Sequence, residues 1–103
     1  MSNELSTTNR CTITALGDVL STTTESLRPS LDAALLNLTA GQVLELDLRA
    51  ARMIDSVGLN LLVTVIKKTK AAGGTVRIRI SQPGVQRILQ FSRLHQHAEI
   101  VTA

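Results

Sequence analysis

Hydrophobic and polar residues alternate in two segments of the chain. In residues 43–49, Leu44, Leu46 and Leu48 alternate with a valine and three charged residues. Residues 75–80 repeat the pattern, with β-branched apolar residues at every second position and arginines between them. Alternation with a period of two is typical of strands that bury one face. The charged positions therefore predict a sheet that helices cover on one face only, with charged pairs exposed on the other.

A long apolar segment separates these two strands. It follows the polar turn Asp55-Ser56, has helical periodicity, and ends at Gly73-Gly74, which is typical of a left-handed helix stop. A helix between two strands requires a crossover connection, so the two strands are expected to be parallel. Leu61 and Val65 are apolar residues that lie outside the main apolar face of this helix. Burial in the core is the favoured interpretation, and a partner-binding surface is the alternative.

The N-terminal half contains shorter signals. Residues 11–15 and 19–20 predict two short strands that form a hairpin around Gly17-Asp18. A helix is expected over residues 26–37, because that start places Pro29 in the first turn, where its missing N–H is harmless. Thr22 and Glu25 also have the spacing of a capping box before this helix.

The C-terminal part predicts a helix that starts near Pro83 and a last strand or helical fragment around residues 98–101. Taken together, the elements predict an α/β fold of two layers, with a mixed sheet of four to five strands. The chain has 103 residues, which suffice for one domain. Residues 1–10 are expected to be a flexible start and residues 11–103 the folded domain.

Composition narrows the function classes. The single Cys11 fits a reducing compartment, and the chain has neither a leader-like run nor a membrane-length apolar run, so a cytoplasmic protein without membrane contact is expected. The net charge is +3, but the basic residues are dispersed and there is one aromatic residue. Nucleic-acid binding is therefore not expected, because neither a basic cluster nor stacking side chains are present.

No catalytic constellation is recognisable. His95 and His97 have no second cysteine or suitably spaced carboxylate for a zinc site, and the Gly-Gly pair follows a helix instead of opening one. Ser56 has no evident base that would make it a nucleophile. We expect no metal, no cofactor and no enzymatic activity of the chain itself.

Ser56 lies where a strand passes into a helix. Serine is a favoured N-cap residue, and a hydroxyl at a helix start is also a good phosphorylation site, because the helix dipole tolerates the added charge. On this assignment Gly58 is the second helical residue, where glycine indicates a close approach or an unobstructed surface.

The segment Ile-Asp-Ser-Val-Gly-Leu at residues 54–59 resembles the STAS-domain anti-sigma factor antagonists, whose pattern is Asp-Ser-(Ser/Thr)-Gly-Leu at a helix start. Residues 83–89 and 92–94 agree as well, and the resemblance covers residues 11 to 101 approximately. It implies a STAS-like α/β fold. The chain departs from the family pattern at Val57, where Ser or Thr is frequent, and at Ser21, where Asp is common.

The resemblance also implies a function. The unphosphorylated protein would bind a GHKL-type serine kinase, often itself an anti-sigma factor; the kinase would phosphorylate Ser56, and a PP2C-type phosphatase would remove the phosphate. ATP and magnesium belong to these partners. With Leu61 added from the apolar helix, the expected partner-binding residues are Ser21, Asp55, Ser56, Val57, Gly58, Leu59 and Leu61.

Two alternatives remain at this stage. The first is a STAS accessory subunit of an ABC transporter for lipid trafficking, motivated by the surplus apolar surface of the same helix. The second, a small hydrolase that uses Ser56, ranks far below both the antagonist and the transporter subunit.

Overall fold

The computed structural model describes residues 10–102, which form four strands, three α-helices and one 3₁₀ turn. Of the predicted flexible start, residues 1–9 lie outside the described part, and residue 10 is the first of a strand. In chain order the elements are β1 (Arg10–Thr14), α1 (Thr24–Leu36), β2 (Val43–Asp47), α2 (Ser56–Ala71), β3 (Thr75–Ile80), α3 (Pro83–Phe91), the 3₁₀ turn (Leu94–Gln96) and β4 (Glu99–Thr102).

The strands pair in the order β1-β2-β3-β4, and each pair is parallel. The predicted crossover between β2 and β3 is confirmed, and the register places Glu45 opposite Arg77 and Asp47 opposite Arg79. The expectation of a mixed sheet is not met within residues 10–102, where all four strands run in one direction.

The predicted N-terminal hairpin is wrong. β1 pairs with β2, and Val19 forms an isolated parallel bridge with Ile54. The Gly17-Asp18 turn does not reverse the chain, because Ala15 N still donates to Asp47 O and Val19 N then donates to Met53 O, both at 3.0 Å. The chain leaves β1 at this turn and then pairs again, still in parallel, with the segment that follows β2.

One apolar core joins the sheet to the helices. Its central strand residues, such as Leu44 and Ile78, are fully enclosed, and the inner faces of all three helices pack in the same cluster. Leu61 and Val65 belong to this core, with exposed fractions of 7% and 1%. The favoured burial interpretation is therefore confirmed, and the assignment of Leu61 to a partner-binding surface is wrong.

The other face of the sheet carries charge, as predicted, but its centre is not exposed. Glu45 is 4% exposed, and its carboxylate accepts a hydrogen bond from Thr12 Oγ1 at 3.2 Å. Its second oxygen lies 3.5 Å from Arg10 and 3.8 Å from Arg77. Two arginines therefore share one buried carboxylate, instead of each exposed acid pairing with one arginine.

Asp47 also differs from the expected cross-strand pair. Its carboxylate binds Arg49 through both Nε and Nη2, at 2.9 and 2.7 Å, instead of its register partner Arg79. The bidentate bond to Arg49 holds the pKa of Asp47 below its usual range.

The helix boundaries follow from local hydrogen bonding. α1 begins at Thr24, two residues before the predicted start, so Pro29 lies beyond the first turn. Its N-cap residue Thr23 makes no side-chain capping bond; the hydroxyl accepts from Leu20 N at 2.8 Å and donates to Asp18 O at 2.7 Å. The Thr22–Glu25 capping box is therefore wrong.

The predicted signals at the later helix ends are confirmed. Gly73 has a φ of +87°, which is the left-handed stop expected after α2. Pro83 is the first residue of α3, and the last element is a strand, β4.

Candidate functional site

The loops that follow β1 and β2 meet at the carboxyl edge of the sheet. We call residues 15–23 the first loop and residues 48–55 the second loop. Val19 donates its N–H to Met53 O at 3.0 Å, and its carbonyl accepts from Asp55 N at 3.2 Å. Because the strands are parallel, both loops lie at the same edge, the usual position of binding sites in such sheets.

Two aspartates link the loops reciprocally. Asp18 of the first loop accepts from Arg52 N at 2.8 Å and Met53 N at 3.2 Å in the second loop. Asp55 of the second loop accepts from Ser21 N of the first at 2.7 Å. Hydrogen bonds from N–H groups to a carboxylate are stronger than bonds between neutral groups. Each loop therefore holds the other in position.

Asp55 also caps the start of α2. Its Oδ1 accepts from Gly58 N at 2.8 Å, and its backbone is extended, as an N-cap requires. The prediction that Ser56 is the N-cap is therefore wrong: Ser56 is the first helical residue and Gly58 the third. The bond from Asp55 N to Val19 O keeps residue 55 in line with the bridge, and the helix begins one residue earlier than serine capping would require.

The Asp55 carboxylate is stabilised in its charged form. Hydrogen bonds from the backbone N–H groups of Gly58 and then Ser21 are the main reasons that the pKa of Asp55 lies below its usual range. The anion therefore both caps α2 and holds the first loop against it.

This lowered pKa predicts an acid-sensitive link. A group whose pKa is lower in the folded state stabilises the fold above its unfolded pKa, and this contribution is lost as the pH falls through the folded value. We expect the stability advantage of the wild type over Asp55→Asn to be constant near neutral pH and to shrink below the ordinary value of 3.8. Urea unfolding at a series of pH values measures it.

Asparagine is a suitable comparison because its carbonyl oxygen can still cap Gly58 N, whereas its amide nitrogen cannot accept the second bond from Ser21 N. Asp47, whose pKa is also lowered, is present in both proteins, so its contribution to the pH dependence cancels in the difference between their stabilities. An advantage that stays constant down to pH 2 would contradict the assignment.

Ser56 is exposed on the first turn of α2. Within residues 10–102 its hydroxyl makes no hydrogen bond, because Asp55 supplies the cap. A negative group at this position lies at the positive end of the helix dipole. The hydroxyl is thus sterically accessible and has no structural role among the described residues.

Exposed apolar side chains occur at the start of α2 and in both loops. Val57, next to Ser56, is 44% exposed; Met53 of the second loop is 57% exposed and Leu16 of the first loop 94%. Sequence analysis named Val57 but missed Leu16 and Met53. In the sequence, each of them is only an apolar residue in a loop. The parallel pairing of the strands is what brings the two loops to one edge of the sheet.

Gly58 is buried against the first loop, which confirms the close approach expected of this glycine. A Cβ at this position would overlap the carbonyl oxygen of Val19. Leu59 is half-buried and packs against the core. The structure therefore brings Ser21, Asp55, Ser56, Val57 and Gly58 together, with Leu59 beside them, and leaves Leu61 inside.

The remaining expectations concern other kinds of site. Among residues 10–102, no three His, Cys, Asp or Glu side chains are grouped as a metal site would require. His95 and His97 are both exposed. None of the helices in this part of the chain combines the length and apolar character needed to cross a membrane.

Comparison with known proteins agrees with this architecture. The family model of the STAS domain matches residues 4–102, which include all the described strands and helices. None of the curated proteins matches the chain significantly. STAS domains occur both in anti-sigma factor antagonists and in transporters, and they commonly take part in protein–protein partnerships. With its two-layer α/β fold and this match over nearly its whole length, the chain belongs to the STAS domain family.

Proposed function

We propose that this protein is a cytoplasmic anti-sigma factor antagonist that binds a GHKL-type serine kinase and is switched off when the kinase phosphorylates Ser56. It acts by binding and not by catalysis. The kinase supplies ATP and magnesium, and a PP2C-type phosphatase restores the active form. The observation that carries the proposal is the exposed Ser56 hydroxyl, which is free of the capping role that Asp55 performs.

The surroundings of Ser56 support a switch that leaves the fold intact. A phosphate adds about −1.5 to −2 charges at neutral pH, and the helix N-terminus offsets part of that charge. The Asp55 cap to Gly58 and its bond to Ser21 do not involve the Ser56 hydroxyl, so phosphorylation removes neither.

The neighbouring side chains support a partner surface that this charge would disrupt. Val57, which follows Ser56 in the chain, and Met53 of the second loop expose apolar area, and a docked partner would exclude water from it. A phosphate in such an interface must lose its hydration, which costs binding free energy unless the partner supplies a cation. The unphosphorylated form is therefore the binding form.

The accessory subunit of an ABC transporter is the other function that the family offers. Its motivating feature was the apolar surplus of α2, but Leu61 and Val65 are buried in the core. No specific observation within residues 10–102 favours this alternative.

The proposal predicts a single phosphorylation site. Tagged wild-type protein is purified from its host with bound partners, which are identified by mass spectrometry; the kinase recovered is then incubated with each variant and Mg-ATP. We expect the wild type to gain one phosphate and Ser56→Ala to gain none, because no second hydroxyl stands at Val57.

Ser30→Ala is the matched control, since Ser30 is also an exposed serine on a helix but lies on α1. It should be phosphorylated as the wild type is. Phosphate on Ser56→Ala would refute the site, and recovery of a transporter ATPase and permease in place of a kinase would support the alternative function.

A further inference from the structure

A second concave surface lies at the other end of α2. It is a half-open pocket of about 260 Å³ between the C-terminal half of α2 and the segment that follows α3. Lys67 on its rim is eleven residues beyond Ser56, or about 17 Å along the helix axis. The pocket is therefore separate from the Ser56 site, and the proposed function does not involve it.

The rim of the pocket is basic. Lys67, Lys70 and His97 line it, and Lys70 Nζ lies 3.4 Å from His97 Nδ1. Among residues 10–102 neither lysine forms an ion pair with a carboxylate. Two lysine ammonium groups that line one pocket without a counter-charge create a potential that attracts an anion.

The floor of the pocket is aliphatic. Ile66 and Leu94 are core residues with exposed fractions of 3% and 4%, and Val63 is half-buried beside them. No aromatic or amide side chain of the described residues lines the pocket, so a nucleotide base would find neither a stacking partner nor a donor–acceptor pair. The lining favours a hydrocarbon chain.

A constrained turn forms the far wall. Arg93 has a φ of 63°, a left-handed conformation that non-glycine residues rarely adopt. This turn brings Ser92 and Leu94, on either side of it, to the same pocket, and Ser92 Oγ is fixed by donating to Ile88 O at 2.9 Å. The wall is therefore formed before any ligand arrives.

We propose that this pocket binds a small amphiphile, an aliphatic chain that ends in a carboxylate or phosphate. The chain lies on Val63, Ile66 and Leu94, and the anionic head is bound by Lys67 and Lys70. The volume lies just below the range of about 300–1,000 Å³ that is typical of ligand sites, which limits the occupant to a small molecule.

The test is a titration of the full chain, followed by ¹⁵N-resolved NMR, with octanoate and octyl phosphate as probes. We expect saturable shifts at the pocket residues and none at Ser56. Octanol and inorganic phosphate, which each supply half of the ligand chemistry, should bind at least tenfold more weakly. The tighter of the two probes identifies the head group.

A matched pair of variants tests the contacts. Lys67→Gln combined with Lys70→Gln should weaken octanoate and octyl phosphate binding at least tenfold. Lys68→Gln should not, because Lys68 lies on another side of α2, near Asp32 and Leu36. Failure of both probes to saturate, equal binding of octanol, or the same loss in Lys68→Gln would overturn the proposal.

Discussion

Gly58→Ala is expected to lower the free energy of unfolding by about 2–3 kcal/mol, even though it adds only one methyl group. The new Cβ would overlap the Val19 carbonyl oxygen and would lie 2.9 Å from both the carbonyl carbon and Cγ1 of Val19. The carbonyl cannot move without breaking the bond that it accepts from Asp55 N. The better helix propensity of alanine, about 1 kcal/mol, offsets only part of this cost.

Urea or thermal unfolding measures the effect, and Gly84→Ala is its control. Gly84 is also near the start of a helix, but apart from its chain neighbours and the backbone of its own helix, no described atom lies within 4 Å of a Cβ placed there. Gly84→Ala should therefore stabilise the protein by about 0.5 kcal/mol, because alanine loses less backbone entropy on folding. If both substitutions changed the stability alike, the close approach of Val19 would not be the reason for Gly58.

Ser56→Glu is expected to have the largest effect on binding. If the proposed function is correct, it should weaken association with the GHKL-type kinase about a hundredfold, because a desolvated charge without a counter-charge costs about 2–5 kcal/mol at an interface. The stability of the free protein should change by less than about 0.5 kcal/mol, since the new charge lies at a helix N-terminus. Calorimetry of the complex and urea unfolding measure the two quantities.

Thr64→Glu is the control for this substitution. Thr64 is exposed on the same helix, about 12 Å further along its axis, so the added charge is equal but lies away from the two loops. It should bind the kinase as the wild type does. Equal loss in both variants would indicate a general charge effect, and no loss in Ser56→Glu would show that the kinase tolerates a negative charge there.

The central part of the fold could be predicted because its patterns are strong. β2 and β3 alternate regularly on both sides of one long apolar helix, and this arrangement allows only a parallel crossover. The segments 11–15 and 19–20 are too short to specify a direction. Their pairing depends on the bridge between Val19 and the segment after β2. These positions are distant in the sequence, so no local pattern reveals the contact.

The motif predicted that Asp55 and Ser56 lie where a helix begins, but it did not predict which of them caps that helix. Asp and Ser are both good N-caps, and only the bond from Asp55 N to Val19 O decides which residue begins the helix. The same dependence on tertiary structure hid the role of Asp18. Its carboxylate binds backbone N–H groups 34 and 35 residues away, so no spacing in the sequence indicates the link.

The sequential strand order has a consequence for how the domain is made. Each strand pairs with the one before it, so a chain emerging from the ribosome could add its elements one at a time without waiting for a distant partner. Both loops and α2 precede residue 72. The Ser56 surface could therefore assemble on a nascent chain before the last strand is synthesised, and β3 and β4 would consolidate a surface whose contacts already exist.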